Sequence, residues 1–232
     1  MYQFPSSPVD HPLPAPANKP RIPVFEDESV VARDIELQLV DLGYEPVGRA
    51  ARGARAIDLA GQLRPDLVLM DIGLAGDMDG IAAAQAIGTQ YALPVVFLTA
   101  FAQDDTLARA RLAAPFGYII KPFSERELRA VIEMALYRHQ TDAKLRQSEE
   151  RFRILFDRAS DGILILSPGG KLVSANASFA RMHGYGAQEI LTINLNDLHT
   201  PRTRHLIGER MQRVLAGEAL TFEVEHFHKD GH

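Results

Sequence analysis

The sequence contains no cysteine among its 232 residues. This absence excludes disulfide bonds, zinc sites built on thiolates and every mechanism that needs a thiol nucleophile. It also fits a reducing compartment, so we expect a cytoplasmic protein.

Long apolar runs and clusters of basic residues are also missing. The longest apolar run, residues 93–102, is interrupted by Pro94 and Thr99 and falls well short of the roughly 20 residues that a membrane-spanning helix needs. Lys and Arg are scattered among the acids, and the net charge is -5, so we expect neither a membrane nor a nucleic-acid partner. Residues 1–20 are rich in proline without the pattern of a secretory signal, and they predict a disordered leader.

Residues 21–139 alternate short apolar runs with helical periodicity, which predicts an α/β domain with a doubly wound parallel sheet of five strands. Pro23 falls inside the first strand, where it cannot donate a ladder hydrogen bond, and it predicts a bulge or a shifted pairing. The predicted strands are centred on residues 22–25, 46–47, 65–71, 94–98 and 117–120, and the last predicted helix before the fifth strand covers residues 104–113.

Polar side chains follow four of these strands. Because parallel strands end at one edge of a sheet, these residues should converge, namely Glu26 and Asp27, Asp71, Thr99 and Lys121. Clustered carboxylates favour a cation, and oxygen ligands suit Mg²⁺, while a lysine and a threonine can bind phosphoryl oxygens. The arrangement predicts phosphoryl transfer onto Asp71. Considered alone, Asp71 could equally cap the next helix.

Four segments resemble the hallmarks of the two-component response-regulator receiver domain, namely residues 24–28, 65–71, 98–100 and 117–123. The resemblance implies a flavodoxin-like fold and a Mg²⁺ cofactor. It also implies a role for each matching residue. Asp71 would be the phosphoacceptor, beside a metal held by Asp27, by the Gly73 carbonyl and, through water, by Glu26. Lys121 would pair with Asp71 or its phosphoryl group. Thr99 would bind a phosphoryl oxygen, and Tyr118 would reorient when Thr99 moves.

The same resemblance implies a sensor histidine kinase or a phosphotransfer protein as partner, and a phosphoacceptor signalling protein rather than an enzyme. Two alternatives remain open at this point. A haloacid-dehalogenase-like phosphatase also uses a strand-end aspartate, but it needs a second acid where Gly73 stands. Tyr118 could be an ordinary core aromatic.

The last helix of the first domain begins with a capping box, Ser124 to Glu127, and meets no stop signal. We therefore expect a continuous helix through a linker at residues 140–151, either solvated or dimerising. Homodimers could form through the receiver face, this linker or the second domain. The sharp turn after the fifth strand predicts a cis Lys121–Pro122 bond.

Residues 152–232 predict an α+β domain with an antiparallel hairpin at residues 162–173, a helix from Asn176 and a strand at 220–227. The segments 148–152, 161–162, 175–176, 184–185 and 229–231 resemble a PAS (sensory box) domain. We expect this domain to be incomplete at its C-terminus, so an alternative is the sensory part of a hybrid histidine kinase or a cyclic-dinucleotide enzyme. A third alternative, a ligand-sensing PAS protein with an inert receiver, is disfavoured by the full set of strand-end residues.

The ligand of the second domain stays unknown from sequence. The lack of cysteine excludes a flavin–cysteine adduct. His205 is a candidate axial ligand for haem, although an exposed surface histidine is the favoured interpretation. We expect His183 and His199 to be structural or exposed.

Overall fold

The computed structural model describes residues 18–100 and 115–231. The chain divides into two units, the first ending at Ala143 and the second beginning at Lys144. The predicted helix at 104–113 and most of the predicted leader lie outside the described residues. Within the described part, no helix combines the length and the apolar character needed to cross a membrane.

The first unit is built on a parallel sheet of five strands in the order β2-β1-β3-β4-β5. This order confirms the predicted doubly wound, flavodoxin-like architecture. Its strands are β1 (Arg21–Phe25), β2 (Glu45–Ala50), β3 (Val68–Asp71), β4 (Val95–Thr99) and β5 (Gly117–Ile120), and its helices are α1 (Ser29–Asp41), α2 (Gly53–Leu63), α3 (Gly80–Tyr91) and the beginning of α4 (Glu125–Arg158).

Alternate residues of each central strand feed two separate cores, one on each face of the sheet. In β3, Leu69 packs with α1 and α4, whereas Val68 and Met70 pack with α2 and α3. The same alternation holds for Leu98 and Phe97 in β4. Both faces are covered, which explains why these strands read as unbroken apolar runs.

Pro23 coincides with an irregularity in the pairing of β1 with β2. Ile22 pairs with Pro46 but Val24 pairs with Arg49, so β2 has one more residue than β1 across this step. The predicted bulge is therefore confirmed. Beyond it the register of β1 with β3 is regular, and Phe25 pairs with Met70.

Helix α4 is continuous over 34 residues, as predicted, and the predicted linker 140–151 lies within it. Its capping box is formed, because the Ser124 N–H donates to Glu127 Oε2 at 2.8 Å and the Glu127 N–H donates to Ser124 Oγ at 3.3 Å. Only Leu128, Ile132 and Ala135 of this helix are buried. The Lys121–Pro122 bond before it is cis, which confirms the prediction.

The second unit has an antiparallel pair, β6 (Leu164–Leu166) and β7 (Leu172–Ala175), and a small apolar core. Asn176 lies at the centre of this unit and is fully buried. Its helices are α5 (Ala177–Met182), α6 (Leu195–Leu198), α7 (Pro201–Arg204) and α8 (Ile207–Leu215), with a 3₁₀ turn at Ile190–Thr192.

The predicted strand at 220–227 is wrong. Its apolar residues Phe222, Val224 and Phe227 are exposed instead of packed in a sheet. The segment instead pairs locally with the end of α6, where the Phe227 N–H donates to the Leu198 carbonyl at 2.7 Å and the Thr200 N–H donates to the Glu225 carbonyl at 3.0 Å. These contacts amount to a single antiparallel bridge at His199 and His226.

Candidate functional site

The carboxyl edge of the parallel sheet gathers the predicted acidic residues. Asp71 ends β3, while Glu26 and Asp27 follow β1, and one carboxylate oxygen from each of the three lies within 4.8 Å of the others. Within the described residues this is the one group of three or more acids or histidines so arranged. The convergence predicted from the strand ends is thus seen for these three side chains.

Lys121 reaches this acidic group from the loop after β5. Its Nζ lies 2.5 Å from Glu26 Oε2 and 3.2 Å from Asp71 Oδ1. Burial of the ammonium acts against its charged form, but the hydrogen bond to Glu26 and the charge of Asp71 outweigh this and raise the pKa of Lys121. The lysine therefore remains protonated at neutral pH.

Glu26 is the most buried member of the group, with 1% of its surface exposed. Burial raises the pKa of Glu26; the hydrogen bond from Lys121 opposes this, and the charge of Asp71 adds to it. Its Oε1 is buried and has no hydrogen-bond partner among the described residues. A buried carboxylate oxygen without a donor is a position that a cation or a metal-bound water would satisfy.

The donor set fits a magnesium ion. All three side chains offer oxygen, and Asp27 is exposed to solvent, so a bound ion could retain several waters. Gly73 lies beside the same carboxylate, because a Cβ at this glycine would stand 3.4 Å from Asp71 Oδ2.

Thr99 and Tyr118 lie on neighbouring strands, and Tyr118 is opposite Phe97, two positions before the end of β4. Thr99 ends β4 and is buried, whereas Tyr118 is partly buried in β5. The Tyr118 ring packs against the core, with its centroid 5.9 Å from that of Phe97.

A parallel sheet in the order 2-1-3-4-5 with three acids and a lysine at its carboxyl edge defines a receiver-type signalling domain. Comparison with known families agrees, since residues 22–133 match the response regulator receiver domain and residues 156–232 match the PAS fold. The chain therefore contains a response-regulator receiver domain followed by a PAS domain, an arrangement that is typical of two-component signal transduction.

The chain is similar to curated regulatory and sensor proteins. The transcriptional regulatory protein PdtaR of Mycobacterium tuberculosis is 42% identical over 118 residues, which are 51% of this chain and 57% of that protein. The chain thus matches little more than half the length of this curated relative. The sensor histidine kinase TmoS of Ectopseudomonas mendocina is 22% identical over 90% of this chain and 25% of its own length.

Among solved structures, the signal receiver domain of a modulated diguanylate cyclase from Desulfovibrio desulfuricans G20 is similar, with a TM-score of 0.52 and 34% identity. The match covers 54% of this chain and 99% of that one.

Sequence reasoning missed a second cluster, a chain of three histidines in the PAS unit. His183 Nδ1 lies 2.8 Å from the Phe179 carbonyl, which can only accept, so this nitrogen carries a proton. His183 Nε2 then accepts from His226 Nδ1 at 2.8 Å, and His226 Nε2 accepts from His199 Nε2 at 3.2 Å. The chain ends at Thr203 Oγ1, 3.2 Å from His199 Nδ1.

This arrangement needs a neutral ring at His183 and at His226, because each of them accepts a hydrogen bond through one ring nitrogen. Burial, followed by the proximity of His199 and His183, lowers the pKa of His226 to about 4. Burial also lowers the pKa of His199, with Arg210 and Arg204 adding to the effect. His183 and His199 are buried, which agrees with the structural role that was one of the two predicted alternatives. The haem candidate His205 is exposed and takes no part in the chain of histidines. No regular spacing in the sequence links the three histidines, so nothing there could have signalled the cluster.

Proposed function

We propose that this protein accepts a phosphoryl group from a phosphohistidine of a partner kinase or phosphotransfer protein onto Asp71. The observation that carries the proposal is the position of the Asp71 carboxylate, which lies at a strand end, within the acidic group and 3.2 Å from the Lys121 ammonium. The protein then acts as a signalling switch and not as an enzyme that turns over a substrate.

In this reaction an Asp71 oxygen attacks the phosphorus in line with the leaving imidazole. The new O–P bond forms as the P–N bond of the phosphohistidine breaks. The P–N electron pair stays on the nitrogen, and a phosphohistidine ring protonated on its other nitrogen leaves as a neutral imidazole. Lys121 binds an oxygen of the transferred group and offsets its negative charge. Glu26 holds Lys121 in place through the 2.5 Å hydrogen bond.

Asp27, Asp71, the Gly73 carbonyl and, through water, Glu26 would hold a magnesium ion. When bound, the ion supplies further compensation of charge on the phosphoryl oxygens.

The signal is proposed to leave the site through Thr99 and Tyr118. The phosphoryl oxygens attract the Thr99 hydroxyl, and the Tyr118 ring moves into the space that this side chain leaves. Thr99 ends β4, which pairs with β3, and Tyr118 lies in β5, which pairs with β4. A small movement at the site therefore reaches the β4–β5 surface of the first unit.

The test is phosphorylation of the purified chain with acetyl phosphate and Mg²⁺, followed by intact-mass spectrometry. We expect one added phosphoryl group that base and hydroxylamine remove, and none on the Asp71→Asn variant. Asp77→Asn is the matched control, because Asp77 is an exposed residue of the following loop. Undiminished labelling of the Asp71→Asn protein would contradict the proposal.

A further inference from the structure

Helix α4 carries an uncovered apolar stripe in its second half. No residue of this helix after Ala135 is buried. The exposed fractions of Leu145, Phe152 and Leu155 are 58%, 58% and 67%. Neighbouring apolar side chains that remain this exposed are typical of a surface that another protein covers, because burying them would be favourable.

The spacing of these residues places them on one side of the helix. Leu145, Ser148, Phe152 and Leu155 are separated by three, four and three positions. Because an α-helix turns once in about 3.6 residues, residues with this spacing follow one another along a narrow line. The same alternation defines a coiled-coil seam, with Leu145 and Phe152 at a positions and Ser148 and Leu155 at d positions. We call these four residues the seam.

Exposed charges of opposite sign border the seam on its two sides. Lys144 and Arg151 lie at g positions on one side, and Glu149 lies at an e position on the other. Outside the seam, Arg153 and Glu150 form an ion pair along the helix, whereas Lys144 and Glu149 form none within the described part of the chain. The two border charges are therefore available to a partner.

These charges favour a second copy of the same helix in a parallel orientation. In a parallel coiled coil, a g residue contacts the e residue of the following heptad on the other helix. Lys144 of each copy would therefore meet Glu149 of the other, and the pair occurs twice because the dimer is symmetric. In an antiparallel pair, g residues face g residues and would bring the basic sides together.

From the exposure, the spacing and the border charges we propose that the seam of α4 pairs with the seam of a second copy of this chain, in parallel and in register. Of the two alternatives that the sequence leaves open for this helix, solvated or dimerising, this is the second. The surface does not include Asp71 and goes beyond the phosphoacceptor function.

The first test measures the monomer–dimer equilibrium of the full chain by sedimentation equilibrium, without a phosphodonor. We expect Lys144→Glu and Glu149→Lys each to weaken the dimer about fivefold or more, because each replaces two attractions by two repulsions. The double variant restores the attraction and should return to within about twofold of the native affinity. Arg146→Glu is the matched control, since it makes the same change of charge on an exposed residue outside the seam and its borders.

The second test uses the absence of cysteine from the chain to check the register. Ser148→Cys places a single thiol in the seam, opposite the same residue of the other copy, so oxidation by copper–phenanthroline should join the two chains through a disulfide. Gln147→Cys is the control, because the neighbouring position points away from the seam. We expect the same result in the Asp71→Asn variant, which separates this proposal from that for Asp71.

Four outcomes would overturn the proposal. The first is a chain that stays monomeric at submillimolar concentration. The second is a dimer that the two charge substitutions leave intact, which would mean that another surface forms it. The third is a dimer that Lys144→Glu strengthens, as an antiparallel pair would require. The fourth is equal cross-linking of the Ser148→Cys and Gln147→Cys proteins.

Discussion

Gly80 is the residue that allows the first turn of α3 to approach Asp71. A Cβ at this position would lie 1.9 Å from the backbone oxygen of Asp71, so any larger residue forces the backbone apart. We expect Gly80→Ala to lower the free energy of unfolding of the first unit by about 1–3 kcal/mol. Urea denaturation followed by circular dichroism measures this change, and we also expect slower labelling by acetyl phosphate.

Gly88 provides the control on the same helix. It is exposed, and a Cβ there would meet nothing within 4 Å. Gly88→Ala should therefore raise the free energy of unfolding by about 0.5–1 kcal/mol through helix propensity alone. A Gly80→Ala protein stabilised to the same degree would show that the close approach is not needed.

Asn176 plays a comparable part in the PAS unit. Its Nδ2 donates to the Phe156 and Asp161 carbonyls, each at 2.9 Å, and its Oδ1 accepts from the N–H groups of Ile163 and Phe179. Asn176→Asp removes both donors and places a buried carboxylate against two carbonyls. We expect a loss of about 3 kcal/mol or more in the free energy of unfolding of this unit, measured by urea denaturation.

The exposed Asn196 serves as the control for this substitution. Asn196→Asp should change the free energy of unfolding by less than about 0.5 kcal/mol. If the two variants lose similar amounts of unfolding free energy, the hydrogen bonds of Asn176 do not stabilise the unit as we predict.

At the scale of elements, the start of α4 depends on its capping box. The Ser124 backbone N–H and hydroxyl both donate to Glu127, and these bonds lower the pKa of the Glu127 carboxyl. We expect Ser124→Ala to lower the free energy of unfolding of the first unit by about 1 kcal/mol, measured by urea denaturation. Ser148→Ala, in the exposed middle of the same helix, should instead be neutral or slightly stabilising, and equal losses would contradict the assignment.

The elements with a local signal in the sequence could be predicted. The strands around Leu69 and Leu98 are covered on both faces, so each of them is an unbroken apolar run in the sequence. The end of that run predicts where the strand ends. Because parallel strands end at one edge, Asp71, Asp27 and Glu26 could be brought together without coordinates. The capping box at Ser124 could also be predicted, because the two residues that form it are only three positions apart.

Features made by distant segments could not be predicted in this way. The segment around Phe222 alternates like a strand, but its hydrogen bonds go to the end of α6, a choice set by tertiary structure. The stacking of Arg210 on Phe222, 12 positions further along the chain, depends on the tertiary structure and has no signal in the spacing of the sequence.

At the scale of the molecule, each unit carries a site with its own chemistry. The first gathers three carboxylates around one lysine, which leaves a net negative charge that a cation would offset. The second holds three histidines in a chain of hydrogen bonds, and its Arg210 Nη1 has no hydrogen-bond partner among the described residues. The two units should therefore respond to pH in different ways.

The histidine chain predicts that the PAS unit loses stability in mild acid. The pKa of His226 is about 4 in the folded protein and 6.5 in a model compound, so the unfolded state binds the proton first. The stabilisation is fully present above pH 6.5 and is lost as the pH falls towards 4. Its loss amounts to at most about 3 kcal/mol for His226, and less if water reaches its partly exposed ring.

Thermal unfolding of the full chain between pH 7.5 and 4.5 would test this, with the imidazole signals of His226 followed by NMR. We expect His226→Gln to flatten the pH dependence of the PAS transition. The exposed His205 is the control, and His205→Gln should leave the dependence as it is. If His226 titrates near 6.5 in the folded protein, its ring is not buried as described, and the chain of hydrogen bonds through it does not exist in solution.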